Sequence, residues 1–263
     1  MTDDGCRRCI DCTTIGQRDR CSPRHTCRCD IPLAMCYISK IIDGTGNSWY
    51  YGDIAVKDGK IAGIGKLSTA TATKSIDAKG LIVAPGFIDV HGHIESGILA
   101  RPTADNYIYD GVTTVVTGNC GGSEVDIPTF FKRLDSAGRS INVATLIGHN
   151  SVRAFVMGRD TRPPPTEEQL KMESLVEQCM KDGAVGLSTG LIYVPGTYAT
   201  TEEVIGLARA AAKHNGLYAS HIRNEESSVT QAIEEAINIG RQANIPVQIS
   251  HFKVGGKANW GRS

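Results

Sequence analysis

Two histidines two residues apart close the stretch Pro85-Gly86-Phe87-Ile88-Asp89-Val90-His91-Gly92-His93. Imidazole nitrogen binds transition metals at neutral pH, and such a pair can hold one ion if the chain brings further ligands to it. Taken alone, two surface histidines at a turn explain the spacing equally well. Three more groups of ligand type follow apolar runs downstream: Cys120, His221 and His251. Each alone has an ordinary explanation, a small buried cysteine beside glycines or a hydrogen-bonded strand-end histidine. Together they form a thiolate and imidazole set suited to zinc. A catalytic zinc keeps one position open, lowers the pKa of bound water to about 7 and polarises a carbonyl. Metal-assisted hydrolysis is the chemistry implied.

These side chains need elements to carry them. Gly80-Leu81-Ile82-Val83-Ala84 is too short for a helix and rich in branched residues, so it predicts a buried strand leading into the histidines. Strand alternation would put Asp89, His91 and His93 on one side. Further buried strands are predicted at 111–118, 142–147, 184–188, 217–221 and 247–251. Between them lie helices. Thr166 with Gln169 predicts a capping box, with Leu170, Val176 and Cys179 on the buried face and Gly183 as the stop. Thr200 with Glu203 repeats the signal for a helix to about Asn215, and another helix runs from near Ser227 to before Pro246.

Repeated strand–helix alternation implies a parallel sheet covered by helices. No glycine-rich phosphate loop follows any strand, which argues against the open nucleotide-binding sheets. The expected fold is therefore α/β, an incomplete (β/α)8 TIM-like barrel with about six of its eight strands, the ligand residues lying at C-terminal strand ends. A small antiparallel β domain precedes it. Its strands are Met35–Ile42, Asp53–Val56 and Lys60–Ile64, the last two joined by the hairpin signal Asp58-Gly59. The expected organisation is a head at 1–33, the small β domain at 34–80 and the barrel at 81–263.

Seven of the nine cysteines fall within the first 36 residues: Cys6, Cys9, Cys12, Cys21, Cys27, Cys29 and Cys36. The head has few apolar residues and lacks the paired spacing of a zinc ribbon, so it is read as a disordered extension or foreign sequence rather than a metal site. The chain carries 28 acidic and 28 basic residues, which gives no electrostatic case for nucleic acid or an anionic membrane. No apolar run approaches a bilayer-spanning length, and the acidic start Met1-Thr2-Asp3-Asp4 leads into no signal-type segment. A soluble cytoplasmic protein is expected. Oligomeric state is not legible.

The opening stretch resembles the signature of the amidohydrolase superfamily. Gly118-Asn119-Cys120-Gly121, Gly186-Leu187-Ser188-Thr189-Gly190-Leu191-Ile192-Tyr193, Ser220-His221-Ile222-Arg223 and Ile249-Ser250-His251-Phe252-Lys253 resemble the N-acyl-D-amino-acid deacylases (D-aminoacylases) within it. The resemblance runs from about Ala34 to the last residue. Gly183 to Gly190 offers no lysine to bridge two metals, which disfavours the dihydroorotase- or hydantoinase-like cyclic-amide hydrolases.

The resemblance implies a zinc-dependent hydrolase of N-acyl-D-amino acids. In it Cys120, His221 and His251 hold a tight zinc, and His91 and His93 serve a second, weaker position. Lys253 grips the substrate's α-carboxylate and Tyr193 also contacts substrate. Arg223, His149 and Arg153 are open between functional and structural roles, while Glu225 and Glu226 read as charges leading a helix. The family's catalytic aspartate matches no residue here, so the chain is read as an N-terminal fragment. A truncated, non-catalytic metal-binding or interaction protein is the alternative.

Overall fold

The computed structural model describes residues 34–67 and 72–262. The cysteine-rich head expected at 1–33 lies outside them. The described residues divide into two compact units, one holding 34–87 with 105–113, the other 88–104 with 114–262.

The first unit is built on β1 (Ala34–Ile41), β2 (Tyr50–Lys57), β3 (Lys60–Gly65), β4 (Lys74–Asp77) and β5 (Ile82–Val83). Strands β2 and β3 pair antiparallel around Asp58 and Gly59, whose φ values of +52° and +69° are those of the expected two-residue hairpin turn. Strand β1 joins β2 antiparallel, but β4 and β5 lie parallel to β1. The sheet is thus mixed, where the sequence suggested antiparallel strands only. A parallel partner needs a crossover and leaves no local turn signature in the residues themselves.

A second difference falls in the run before the histidines. Only Ile82 and Val83 form strand, in the small sheet, and Leu81 and Ile82 are more than half exposed. The strand that leads into the histidines is β6 (Phe87–Asp89). Pro85 and Gly86 separate the two. Gly86 sits so close to Thr113 that a Cβ there would meet the Thr113 side chain at 2.2 Å. The continuous apolar run hid that break.

After β6 come α1 (Gly97–Ala100), α2 (Asp105–Ile108), β7 (Val112–Thr117), α3 (Ile127–Ala137), β8 (Asn142–Thr145) and β9 (Ile147–Gly148). Then follow α4 (His149–Met157), α5 (Thr166–Lys181), β10 (Gly186–Gly190), α6 (Thr201–Ala212), β11 (Leu217–His221), α7 (Val229–Ala243) and β12 (Val247–Ile249). The strands run in the order β6-β7-β8 and β9-β10-β11-β12. The third predicted strand is interrupted at Leu146, whose N–H donates to the Thr117 carbonyl. Its first part pairs with β7 and its second with β10, so it serves one strand position between them. Six successive strand positions result among the described residues, as expected, and β7 with β8, β9 with β10, β10 with β11 and β11 with β12 all pair in parallel.

The second unit's core lies where helices cover β10 and β11. All five residues of β10 are buried, and Leu187 and Tyr218 meet Met172, Val176, Leu207 and Ile239 in one apolar cluster. Fully burying such an aliphatic side chain contributes about 1.5–3 kcal/mol. On α5 the buried face is Met172, Val176, Cys179 and Met180, which recur at helical spacing. Leu170 is 57% exposed, contrary to the sequence reading, because it points away from that face. Nor does Thr166 cap this helix: it is the first helical residue, after Pro165. Thr200 does cap α6, its side chain accepting from the Glu203 N–H at 3.2 Å.

Candidate metal centre

All the candidate ligands lie in the second unit. Cys120 follows β7 in a tight loop. Its own φ is +53°, and its glycine neighbours Gly118 and Gly121 are at +76° and +77°. A Cβ on Gly118 would meet the Leu146 carbonyl oxygen at 2.1 Å, so this approach requires glycine. Ser188 on β10 pins the loop from beneath: its hydroxyl donates to the Gly118 carbonyl and accepts from the Gly121 N–H. Gly190 permits the same closeness from β10, since a Cβ there would meet the Cys120 carbonyl oxygen at 2.1 Å.

The histidines arrive from three other strand ends. Strand β6 stops at Asp89, whose carboxylate accepts from the His91 N–H at 2.9 Å. His91 and His93 therefore lie in a turn and not on one face of a strand, with ring centroids 5.2 Å apart. Asn119 ties this turn to β7, its side-chain amide donating to the carbonyls of Val90, Gly92 and Val116. His221 is the last residue of β11. His251 stands two residues past β12 with φ +35°, an uncommon backbone for a residue with a side chain.

The ligand atoms converge. Cys120 Sγ lies 3.5 Å from His91 Nε2, 3.5 Å from His221 Nδ1 and 3.6 Å from His251 Nε2. Two groups of three share the sulfur: Cys120 with His221 and His251, and Cys120 with His91 and His93, each with ligand atoms within 4.8 Å of one another. Zinc bonds of about 2.3 Å to sulfur and 2.0–2.1 Å to nitrogen, at a tetrahedral angle, separate the ligand atoms by roughly 3.5 Å. The observed spacing and the donor set both fit zinc. His91 Nδ1 and His221 Nε2 are buried without a hydrogen-bond partner.

Burial governs the electrostatics. It pushes the Cys120 thiol up to about 11, with Glu225 adding to the effect and Lys253 opposing it. It pushes His221 down to about 4, against the pull of Glu225 and with His251, Lys253 and His91 assisting. His91 is lowered by burial and then by His251 and His93. At neutral pH these two imidazoles keep their lone pairs, and the thiol must release a proton when a metal binds. Beside them lies a cavity of about 480 Å³ lined by His93, Glu95, Asn119, Cys120 and Ser123.

Tyr193 and Lys253 reach the same place. The Tyr193 ring lies 4.7 Å from that of His221 and is half exposed. Lys253 Nζ pairs with the Glu225 carboxylate. Glu225, which the sequence suggested was merely a charge leading a helix, also accepts from His251 Nδ1 at 2.8 Å. Glu226 is exposed, as that reading implied. The remaining open residues have structural contacts. Arg223 makes a bidentate pair with Glu235 and donates to the carbonyls of Thr197 and Ala199. His149 and Arg153 are fully buried on α4, both bonded to Glu203 of α6.

The sequence pattern of the amidohydrolase family matches residues 74–260. D-aminoacylase of Alcaligenes xylosoxydans xylosoxydans is 40% identical over 246 residues, 85% of this chain and 51% of that protein. N-acyl-D-glutamate deacylase of the same organism is 38% identical over 85% of this chain and 50% of its own length. Among solved structures, N-acyl-D-glutamate deacylase from Bordetella bronchiseptica superposes with a TM-score of 0.82 and 40% identity, covering 87% of this chain and 53% of that one. That protein was crystallised with zinc and a phosphonate inhibitor that mimics the reaction's tetrahedral intermediate. The chain spans about half the length of these relatives. With most of its residues inside the matched pattern and six strand positions in the family's barrel-like arrangement, this chain belongs to the amidohydrolase family.

Proposed function

We propose that this chain carries the metal centre of a zinc-dependent hydrolase that cleaves the amide bond of N-acyl-D-amino acids, giving D-amino acid and carboxylate. The observation that carries the reading is the convergence of Cys120 Sγ with nitrogens of His221 and His251 at 3.5 and 3.6 Å. Those three residues hold the tighter zinc, and His91 and His93 with the shared sulfur make the weaker position. Zinc held there supplies Lewis acidity, polarising an amide carbonyl and making water more acidic.

The chain's own groups do the rest of the binding. An N-acyl amino acid keeps its α-carboxylate but has no ammonium, so a single cation suits it. Lys253 provides that cation beside His251, and Tyr193 borders the same space next to His221. The relatives are a D-aminoacylase and deacylases of N-acyl-D-glutamate and N-acyl-D-aspartate, which supports both the amide and the D configuration. No described residue is assigned the proton transfers to and from the reacting atoms. The partner is a small molecule and the setting cytoplasmic; among the described residues no helix is long and apolar enough to cross a membrane.

Hydrolysis of N-acetyl-D- and N-acetyl-L-amino acids tests the reading, on this chain and on one extended to the relatives' length. Turnover of the D series by the extended form, with zinc bound, is expected. Bound zinc without turnover of any D substrate would sink the substrate assignment, and a folded chain without zinc would sink the metal centre.

A further inference from the structure

We propose that Glu225 is the positioning residue of this centre: one carboxylate orients His221 and His251 toward Cys120 and keeps Lys253 beside them. The inference rests on the zinc reading above and adds a residue to it.

The geometry is specific. His221 presents Nδ1 to the sulfur and His251 presents Nε2. Their outer nitrogens, His251 Nδ1 and His221 Nε2, lie 2.8 and 3.3 Å from the same Glu225 Oε1. Only the first is aligned as a hydrogen bond, since His221 Nε2 has no bonded partner. The other oxygen, Oε2, takes Lys253 Nζ. Donation from Nδ1–H to a carboxylate fixes the tautomer of an imidazole and leaves its Nε2 lone pair free for a metal.

The backbone makes a second, independent tie. The Gly255 N–H donates to the Glu225 carbonyl at 2.6 Å. Residue 225 thus strapped by main chain and side chain holds the loop 251–255, whose first residue, His251, sits at φ +35°. That backbone strain needs an external restraint, and Glu225 supplies it. Both carboxylate oxygens are engaged, and the side chain is only 13% exposed. These contacts suit a positioning role, and they leave no free oxygen for ligation or proton abstraction.

Glutamine at this position can still accept from His251 through one oxygen. Its amide nitrogen would then face the Lys253 ammonium, so only a carboxylate satisfies both neighbours. The test is zinc competition with a chromogenic chelator on the zinc-loaded chain, comparing wild type with Glu225→Gln, Glu225→Asp and the exposed neighbour Glu226→Gln. The zinc dissociation constant is expected to rise about 10- to 100-fold in Glu225→Gln, recover in part in Glu225→Asp and stay within about twofold in Glu226→Gln. Visible absorption of the Co(II)-substituted chain should shift in Glu225→Gln while the metal-free melting temperature holds. Zinc affinity in Glu225→Gln equal to wild type, or an equal loss in Glu226→Gln, overturns the proposal. A wild-type chain that takes up no zinc overturns it together with the metal centre. Tight zinc weakened by Glu225→Gln, in an extended enzyme that hydrolyses no D substrate, supports the proposal and removes the deacylase reading alone.

Discussion

The second unit sets a glutamate between a basic residue and a histidine in two clusters with opposite outcomes. In one, Glu203 receives Arg153 through both carboxylate oxygens at 3.0 and 2.8 Å and His149 at 2.8 Å. Arg153 spends its other terminal nitrogen on the carbonyls of Asp160 and Arg162. In the other, Glu225 receives Lys253 and His251, but His221 and His91 keep buried nitrogens with no partner, beside a raised thiol. The first cluster is closed: apart from Arg153 Nε, the side-chain nitrogens and oxygens of His149, Arg153 and Glu203 are bonded within the protein. The second turns the Cys120 sulfur, His91 Nε2, His221 Nδ1 and His251 Nε2 toward one point. Unpartnered atoms do not separate the two, since Arg153 Nε also lacks a partner; the convergence of a thiol and three imidazole nitrogens does.

Cys120→Ser breaks the comparison most sharply, because both groups of ligands use that sulfur. Serine offers a hydroxyl that stays protonated at neutral pH and binds zinc poorly. Zinc affinity should fall by more than the roughly 100-fold typical of outer-shell changes, measured by the same chelator competition. Retention within about tenfold of wild type would show that the sulfur is not the shared ligand.

Glu203→Ala probes the closed cluster. Arg153 would remain charged in a fully buried position, and breaking such a pair costs about 3–5 kcal/mol. A drop of that size in urea stability is expected, with unchanged zinc affinity in the molecules that stay folded. Weakened zinc binding in those molecules would mean that the two clusters are coupled.

Tyr218 is another closed group, on the strand that ends in His221. Its hydroxyl is bonded to Thr189 and Ser220, and burial pushes the phenol up to about 12. An unfolded tyrosine titrates near 10, so between about pH 10 and 12 the folded state holds a proton that the unfolded state has lost. This contribution is fully present below about pH 10 and is lost as pH rises through about 12, roughly 2–3 kcal/mol in all. Tyr218→Phe should remove that part of the alkaline slope while costing about 1 kcal/mol at pH 8 for the lost hydrogen bonding. Parallel stability curves for the two proteins from pH 8 to 12 would show that Tyr218 is not held this way.

What the sequence made legible follows from the range of the interactions. His221 closes a strand whose bounds, Leu217–His221, match the prediction, because an apolar run of that length with a following polar loop is a local signal. Cys120 and His251 could be named for residue type at strand ends. Glu225 could not: its partners are 26 and 28 positions away, and its immediate surroundings are those of a solvated helix leader. Strands β4 and β5 joined β1 unannounced for the same reason. Glu203 shows how a local signal can be half right. The sequence pairs it with Thr200 in a capping box, yet its carboxylate turns inward to Arg153 and His149, and only its N–H serves the cap.

That divided role gives the smallest effect and the finest test of the comparison. Thr200 Oγ1 satisfies one of the unpaired N–H groups at the start of α6, so Thr200→Ala should cost about 1 kcal/mol. If the cap also sets the first turn so that Glu203 meets Arg153, its loss loosens the buried pair as well. A cycle of Thr200→Ala, Glu203→Ala and the double variant separates these effects. A coupling of about 0.5–1 kcal/mol is expected, since the cap has less to protect once the carboxylate is gone. Strict additivity would mean that Arg153 and His149 hold Glu203 unaided, and that the closed cluster needs nothing from the helix terminus on which it is built.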